Sequence, residues 1–398
     1  MEGSEAIHPD KLGPISMQEA WKTIGSFKAL EQQGDVYVCR AERGGAAIVF
    51  LTEDLFRIKF FTGTDLDLTT TIAIQPVQES PASVEVQVEE SVDGIKFGTS
   101  TLLVELDKRT FGLTVKNKEG QIIAEQKIIS FSPRGAANAI FEMPTDSHFY
   151  GLGEKASFLD KRGERYTNWN TDVFAPHMPE IEALYESIPL MIHMHSGLSY
   201  GLFLDNPGRS DFDMRSHGIA FSIGCSTGSY DLYFINGPEL KEVVKRYTFL
   251  TGRIAIPPKW SIGYHQSRYS YMNQQEVLDL AKTFREKNIP CDVIYLDIHY
   301  MNEYRVFTFD PVRFPDPDKM LSELRNMGIR IVPIVDPGVK KDPKYPIYRE
   351  GVTDNHFCKK LEGDIFFGDV WPGTSAFPDF TEDRTSKWWL INIASILS

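Results

Sequence analysis

The sequence predicts an antiparallel β-sandwich followed by a domain of alternating strands and helices. Three observations carry that expectation. From about residue 35 to about residue 250 apolar side chains recur with period two, in short runs broken by Gly, Asp, Asn and Pro, the pattern of half-buried strands. After Pro257 and Pro258 strands begin to alternate with amphipathic helices. The length of 398 residues also exceeds what one core usually organises, roughly 250 to 300 residues. The expected division is an N-terminal extension over 1–34, a sandwich over 35–254 and a second domain over 255–398.

In the first part, SVEVQVEE places Val84, Val86 and Val88 on one face with acidic side chains opposite, and TLLVELD aligns Leu102, Val104 and Leu106. GLTVK and QIIAEQKI flank the polar tip NKEG, where Gly120 is available for the positive φ of a tight turn. Such strands without long helical patterns imply two packed antiparallel sheets. GLGEK, residues 151–155, has two glycines but opens no helix, and MIHMHSG is read as a strand whose His193 and His195 face opposite sides.

The second part opens with a strand at WSIGYHQ. In the helix that follows, Asn273 is a cap with Glu276 three residues on, and Val277, Leu278, Ala281 and Phe284 share one face. A buried strand DVIYLDI comes next. A second helix has Asp316 as N-cap, Pro317 at its first position, Gly328 past its end and a stripe of Met320, Leu321, Leu324 and Met327. The third strand, RIVPIVD, is mostly apolar, as strands covered on both faces are. This order means a parallel sheet, either open and doubly wound or the start of an eight-fold barrel. No G-x-G-x-x-G follows any of these strands, which weighs against a dinucleotide fold.

Composition narrows the function classes. A formal charge of −13 argues against a sequence-independent hold on nucleic acid phosphates, which needs clustered Lys and Arg. No run approaches the roughly 20 apolar residues of a membrane span, and the start, MEGSEAIHPDKLG, lacks the charged and apolar regions of a signal peptide. A soluble cytoplasmic protein without nucleic acid or membrane partners is expected, its oligomeric state open. Cys39, Cys225, Cys291 and Cys358 form no C-x-x-C pair and the nine histidines no H-E-x-x-H, so neither a metal nor another cofactor is expected.

Function in parallel sheets gathers at the carboxyl ends of strands. There the sequence places Gln266, Arg268 and Tyr269, then Asp297 and His299, then Asp336. Tyr264, Tyr269, Tyr271, Tyr300, Trp371, Phe377 and Phe380 lie in loops or at strand ends. Flat apolar faces beside carboxylates suit a sugar ring and its hydroxyls.

The succession IPPKWSIGYHQSRYSY, VIYLDIHYM, FTFDPVRFPDP, IVPIVDPGV and VWPGTSAFPDFT resembles glycoside hydrolase family 31, the α-glucosidase family, N-terminal portion only. YGLGEK and RYTNWNTDVFAPH upstream resemble that family's N-terminal sandwich and the loop it extends over the active site. The resemblance implies a galactose-mutarotase-like β-sandwich followed by the first three β/α units of a (β/α)8 TIM barrel. It implies substrate-binding roles for Asp297 and Ile298 in YLDIHYM, Tyr269 in RYSYM, Ile334 in PIVDP and Trp371 in VWPG, and a sugar contact on the leaving-group side for Asp172 in NWNTD. Many members have Asp-Ile-Asp-Tyr where this chain has Asp297, Ile298, His299 and Tyr300, which is read as a lineage variant.

Retaining glycosidases use two carboxyl groups about 5 to 5.5 Å apart. In the resembled family the nucleophile sits in a W-x-D-M-N-E segment after the fourth barrel strand, and the acid/base Asp comes later. Neither segment occurs in the 398 residues, and past Trp389 the chain reads LINIASILS. The expectation is therefore a truncated barrel with no catalytic residue in this chain, three strands with an unpaired edge being an aggregation hazard. The expected activity class is a retaining α-glucosidase acting on α-glucosides or malto-oligosaccharides, with this chain itself incompetent. The alternatives are a non-catalytic carbohydrate-binding or pseudoenzyme fragment, another α-glycosidase specificity such as α-xylosidase, and an unrelated α/β barrel enzyme.

Overall fold

The computed structural model describes residues 21–75 and 84–397; the opening MEGSEAIHPDKLG lies outside them. The chain divides into two units between Ile254 and Ala255.

Unit 1 builds two sheets. Its strands begin with β1 (Phe27–Gln33), β2 (Val36–Ala41), β3 (Gly44–Thr52), β4 (Leu55–Thr62), β5 (Gln87–Glu90) and β6 (Gly94–Gly98). They continue with β7 (Leu102–Asp107), β8 (Leu113–Asn117), β9 (Ile122–Phe131), β10 (Ala137–Glu142), β11 (His148–Gly153) and β12 (Arg165–Asn168). The last are β13 (Ser187–His195), β14 (Leu198–Leu204), β15 (Ser210–Asp213), β16 (Ala220–Cys225) and β17 (Tyr230–Asn236). One sheet runs β1-β2-β3-β4-β17-β14-β13-β11, the other β12-β15-β16-β10-β9-β8-β7-β6-β5, and their pairings are antiparallel. The segment set in an N-terminal extension thus supplies a strand, β1, that pairs with β2.

The inner faces share one core, with Ile48, Phe56 and Ile58 from the first sheet and Phe97, Val104, Phe141 and Phe221 from the second. Each such side chain taken out of water contributes about 1.5–3 kcal/mol. Leu102, Val104 and Leu106 alternate inward as the sequence predicts. Of the described part of SVEVQVEE, from Val84 on, only the last four residues form a strand, β5; Val84 and Val86 pack on the core while Val88 is exposed on this edge strand. Gly120 turns the β8–β9 hairpin with φ +81°. On the outer face of the first sheet lies α1 (Leu240–Thr251), whose Val243 and Leu250 pack on Leu55, Leu190 and Phe203.

His193 and His195 correct the reading of MIHMHSG. Two residues apart on a strand means the same face, and their rings lie 4.9 Å apart, both buried. The His193 nitrogens bond the Tyr200 hydroxyl at 2.6 Å and the Ser147 hydroxyl at 2.8 Å. Burial, and next His195, push the His193 pKa down to about 3.

Unit 2 opens with a short 3-10 turn at Lys259–Ile262, so the strand expected across WSIGYHQ shrinks to β18 (His265–Gln266). It is followed by α2 (Gln274–Glu286), β19 (Val293–Leu296), α3 (Pro317–Asn326) and β20 (Arg330–Pro333). The three strands are parallel in the order β18-β19-β20. The helix starts are capped as the sequence implies: the Asn273 side chain accepts from the Glu276 NH at 2.9 Å and that of Asp316 from the Lys319 NH at 3.0 Å. The Glu276 carboxylate in turn accepts from the Met272 NH at 2.7 Å.

Val277, Ala281, Ile294, Leu296, Met320 and Leu324 are buried together, giving unit 2 its own core. RIVPIVD is less covered than expected, its residues exposed or half-buried, because β20 is the last strand of its sheet. Beyond it come β21 (Val339–Lys340), α4 (Pro346–Thr353), β22 (Phe367–Val370), β23 (Gly373–Ala376) and α5 (Asp383–Leu397), with β21 and β22 flanking β23.

All four cysteines are free, and Cys39, Cys225 and Cys291 are buried. Burial lifts the Cys39 thiol to about 12 and the Cys225 thiol to about 11. Among the described residues no helix is long and apolar enough to cross a membrane.

Candidate functional site

The carboxyl ends of the three parallel strands form the densest group of candidate residues. Asp297 ends β19 with an extended backbone, and its Oδ1 accepts from the Ile298 NH at 2.7 Å, which starts a 3-10 turn over Ile298–Tyr300. The other carboxylate oxygen makes no hydrogen bond among the described residues. Asp297 is half-buried and Ile298 buried.

The next strand is locked to this turn. The Ile334 NH donates to the Leu296 carbonyl at 2.9 Å, and the Tyr300 hydroxyl donates to the Ile334 carbonyl at 2.8 Å. The Ile334 side chain stays 39% exposed, so the apolar surface faces out while its backbone is fixed. Asp336, two residues on, has its pKa raised by burial and then by the negative charge of Asp297. The two carboxylates therefore belong to one electrostatic neighbourhood.

Tyr269, after β18, is 68% exposed. His299 meets its ring edge-on at 5.5 Å and the Tyr304 ring at 5.7 Å. His299 thereby joins the loop after β18 to the turn after β19, a linking role that the sequence reading, taking His299 as a lineage variant, did not assign. No sequence signal pointed to it, since the partner ring of Tyr269 lies on a separate loop.

The structure separates the loop aromatics into two kinds. Tyr271 and Tyr300 are core residues, at 3% and 0% exposure. Tyr271 also takes part in a chain in which the Tyr264 hydroxyl donates to Gln266 at 2.6 Å and the Gln266 amide donates to the Tyr271 oxygen at 3.1 Å. Tyr269 and Trp371 keep two thirds of their surface open.

Trp371 stands at the turn of the β22–β23 hairpin. Its neighbour Val370 lies against Gly338, where an added Cβ would come within 2.9 Å of the valine methyl. Glycine there lets the hairpin approach the segment just past Ile334. Trp371 itself has no ring or hydrogen-bond partner among the described residues.

Asp172 belongs to unit 1. It is exposed between two anchored neighbours: the Thr171 NH donates to the Leu184 carbonyl at 2.8 Å, and the Val173 NH and carbonyl both bond the Tyr185 hydroxyl, at 3.2 and 2.8 Å. Of the six candidates, then, Asp297, Ile298, Ile334 and Tyr269 are brought together at the strand ends. Trp371 is carried on a hairpin packed beside them, and Asp172 is not among them, lying in unit 1. Among the described residues no group of three or more His, Cys, Asp or Glu is placed to hold a metal.

Two family models match the chain: the glycosyl hydrolases family 31 TIM-barrel domain over residues 254–397, and the glycosyl hydrolase 31 N-terminal galactose mutarotase-like domain over residues 46–213. The chain belongs to glycoside hydrolase family 31. Its curated relatives include alpha-glucosidase 2 of Bacillus thermoamyloliquefaciens, 44% identical over 368 residues, which cover 92% of this chain and 46% of that protein. The alpha-glucosidase of Saccharolobus solfataricus is 34% identical over 288 residues, covering 72% of this chain and 39% of the relative. The chain thus spans less than half the length of these relatives. Among solved structures, a family 31 dextranase of Flavobacterium johnsoniae complexed with glucose superposes with a TM-score of 0.84 at 24% identity, over 94% of this chain and 46% of that one. That likeness speaks for the fold: a sheet-rich mutarotase-like domain and part of a family 31 barrel.

Proposed function

We propose that this chain carries substrate-recognition parts of a retaining α-glucosidase that releases α-linked glucose from the non-reducing ends of α-glucosides or malto-oligosaccharides. The observation that supports it most is Asp297. One of its carboxylate oxygens is fixed by the Ile298 NH and the other is unpartnered, beside the exposed faces of Tyr269 and Ile334. A carboxylate oxygen held this way accepts hydroxyl hydrogens from a terminal sugar, and the apolar faces shed water as the ring seats against them. Trp371 would extend that wall, and Asp172 would accept from the sugar on the leaving-group side. Homology to curated alpha-glucosidases supports the choice of α-linked glucose.

In this reading the nucleophile and the acid/base carboxylate come from outside the 398 residues, in which no W-x-D-M-N-E segment for the nucleophile occurs. Asp336 is not a substitute: its carboxyl stands beside Asp297 in the binding group, and its raised pKa follows from burial and that neighbour. The 398-residue chain by itself is therefore expected to bind sugar without turning it over. An aryl α-glucoside assay tests the second half, and measurable hydrolysis by the purified chain would overturn it. Calorimetric titration with maltose tests the first: Asp297→Asn should weaken binding at least about ten-fold, and equal affinities would remove Asp297 from the role.

A non-catalytic carbohydrate-binding or pseudoenzyme fragment is the second reading, favoured by the Asp297 group at the strand ends, which could bind a sugar without a catalytic carboxylate. It differs in one outcome, since a longer polypeptide that also bears a W-x-D-M-N-E segment would then show no hydrolysis. Running the titration with an α-xyloside separates α-xylosidase from α-glucosidase specificity.

A further inference from the structure

Lysine normally lays its methylenes on the protein and keeps its ammonium in water. Lys155, in unit 1, does the reverse. The residue as a whole is only partly buried, yet its Nζ is shut off from solvent and has no hydrogen-bond partner among the described residues. Burial, and next the charge of Lys161, hold its pKa down to about 8. An amine in that range is neutral, and so nucleophilic, in a large share of molecules at mildly alkaline pH, where an ordinary lysine stays protonated.

The groups around it are donors. Lys161, 7% exposed, donates to the Phe158 carbonyl at 2.6 Å, and its ammonium lies 5.4 Å from the centre of the Tyr166 ring. Tyr166 is 1% exposed with its hydroxyl unpaired, and the Ser157 hydroxyl is buried and unpaired as well. These two hydroxyls are neighbours: burial raises the Tyr166 pKa and the Ser157 hydroxyl partly offsets that rise. Glu154 is exposed and acts on Lys155 only through space, as Asp160 and Glu164 act on Lys161. Buried polar groups are almost always satisfied in folded proteins. Two open hydroxyls and an open amine beside a second ammonium lack an anion.

The amine itself narrows which anion. An electrophile that adds to Lys155 has to be small, because Nζ is enclosed. It also has to leave negative charge behind, because Lys161 opposes a cationic product and the two hydroxyls have hydrogens to give. An aldehyde fails the second condition, since its imine is neutral or cationic. Carbon dioxide meets both.

We propose that Lys155 is a carboxylation site that takes up carbon dioxide, its carbamate held by the Lys161 ammonium and the hydroxyls of Ser157 and Tyr166. The Nζ lone pair attacks the carbon of carbon dioxide and forms a C–N bond. One C=O π pair moves onto oxygen, and Nζ releases one proton to solvent. The product carries one negative charge where the ammonium carried one positive, and no oxidant or reductant takes part. The inference uses residues 154–166 alone and does not rest on the α-glucosidase reading.

The test uses the whole 398-residue chain, equilibrated with carbon-13 bicarbonate at a pH near that of the Lys155 amine. Triethyloxonium then ethylates any carbamate so that it survives digestion. Peptide mass spectrometry should place the label on Lys155 at an occupancy at least about ten-fold above that of any exposed lysine. The Tyr166 hydroxyl makes no hydrogen bond among the described residues, so Tyr166→Phe should fold as the wild type does and lower the Lys155 occupancy several-fold; Ser157→Ala should lower it likewise. Label spread evenly over exposed lysines, or carbon-13 NMR showing bicarbonate held only non-covalently, would overturn the proposal. So would Lys155 occupancy unchanged in both variants.

Discussion

The Tyr300 hydroxyl donates a 2.8 Å hydrogen bond to the Ile334 carbonyl, tying the turn after β19 to the end of β20. Tyr300 is fully buried while Ile334 is 39% exposed, so removing only the hydroxyl deletes a bond between a core side chain and a half-open strand end. Tyr300→Phe should destabilise unit 2 by about 0.5–1.5 kcal/mol, read as an earlier urea transition of that unit. A transition at the wild-type denaturant concentration would show that the bond does not hold the strand end.

Asp336 should respond to its neighbour. Its pKa is raised by burial first and by Asp297 second, so Asp297→Asn should bring it down towards the ordinary carboxylate range. The sign for stability follows: the folded state binds this proton more readily than the unfolded state, so ionising Asp336 costs stability as pH rises through its folded pKa, and the cost is absent in acid. Carbon-13 titration of the Asp336 carboxyl in wild type and Asp297→Asn checks the coupling, and identical curves would refute it.

For His193 the linkage has the opposite sense. Its folded pKa is pushed down to about 3 from an ordinary 6.5, burial being the main cause. The unfolded chain therefore takes up the proton first. Stability of unit 1 is complete above about pH 6.5 and falls as the pH drops towards 3, by up to about 1.4 kcal/mol per pH unit from this residue. Thermal unfolding between pH 7 and pH 4 should show a shallower loss in His193→Gln than in wild type. Parallel slopes would assign the acid sensitivity to other groups.

Gly151 predicts a steric failure. Its φ is +103°, and an added Cβ would lie 2.4 Å from the Leu190 carbonyl oxygen of the paired strand β13. Gly151→Ala should cost about 2–4 kcal/mol through strain and displaced pairing, measured by calorimetric unfolding. A loss below about 0.5 kcal/mol, the range of an ordinary surface change, would mean the strand relaxes around the methyl.

The sequence revealed those parts of the fold whose cause is local. The alternation of Leu102, Val104 and Leu106, the caps at Asn273 and Asp316 and the turn at Gly120 each follow from side-chain chemistry within a few residues. The shrinkage of WSIGYHQ to a two-residue strand was not legible, because propensity does not say where neighbouring strands stop pairing. Nor was the half-exposed state of β20, since an apolar run reads alike at an edge and in the middle of a sheet. The placement of Asp297 and Tyr269 just past parallel strands was visible through motif and position. The role of His299 between Tyr269 and Tyr304 was hidden, because ring contacts between separate loops leave no periodic trace. The pairing of His193 with His195 was misread although strand period alone decides it.

The buried thiols equip the chain with internal reporters. Cys39 and Cys225 sit in the sandwich and Cys291 beside β19, each with its thiol pushed towards the protonated, unreactive form. Only the thiolate attacks alkylating reagents, so each of these sulfurs stays silent until its surroundings open. Mass spectrometry of which cysteine is labelled first would time the opening of each unit separately, with no probe added to the protein.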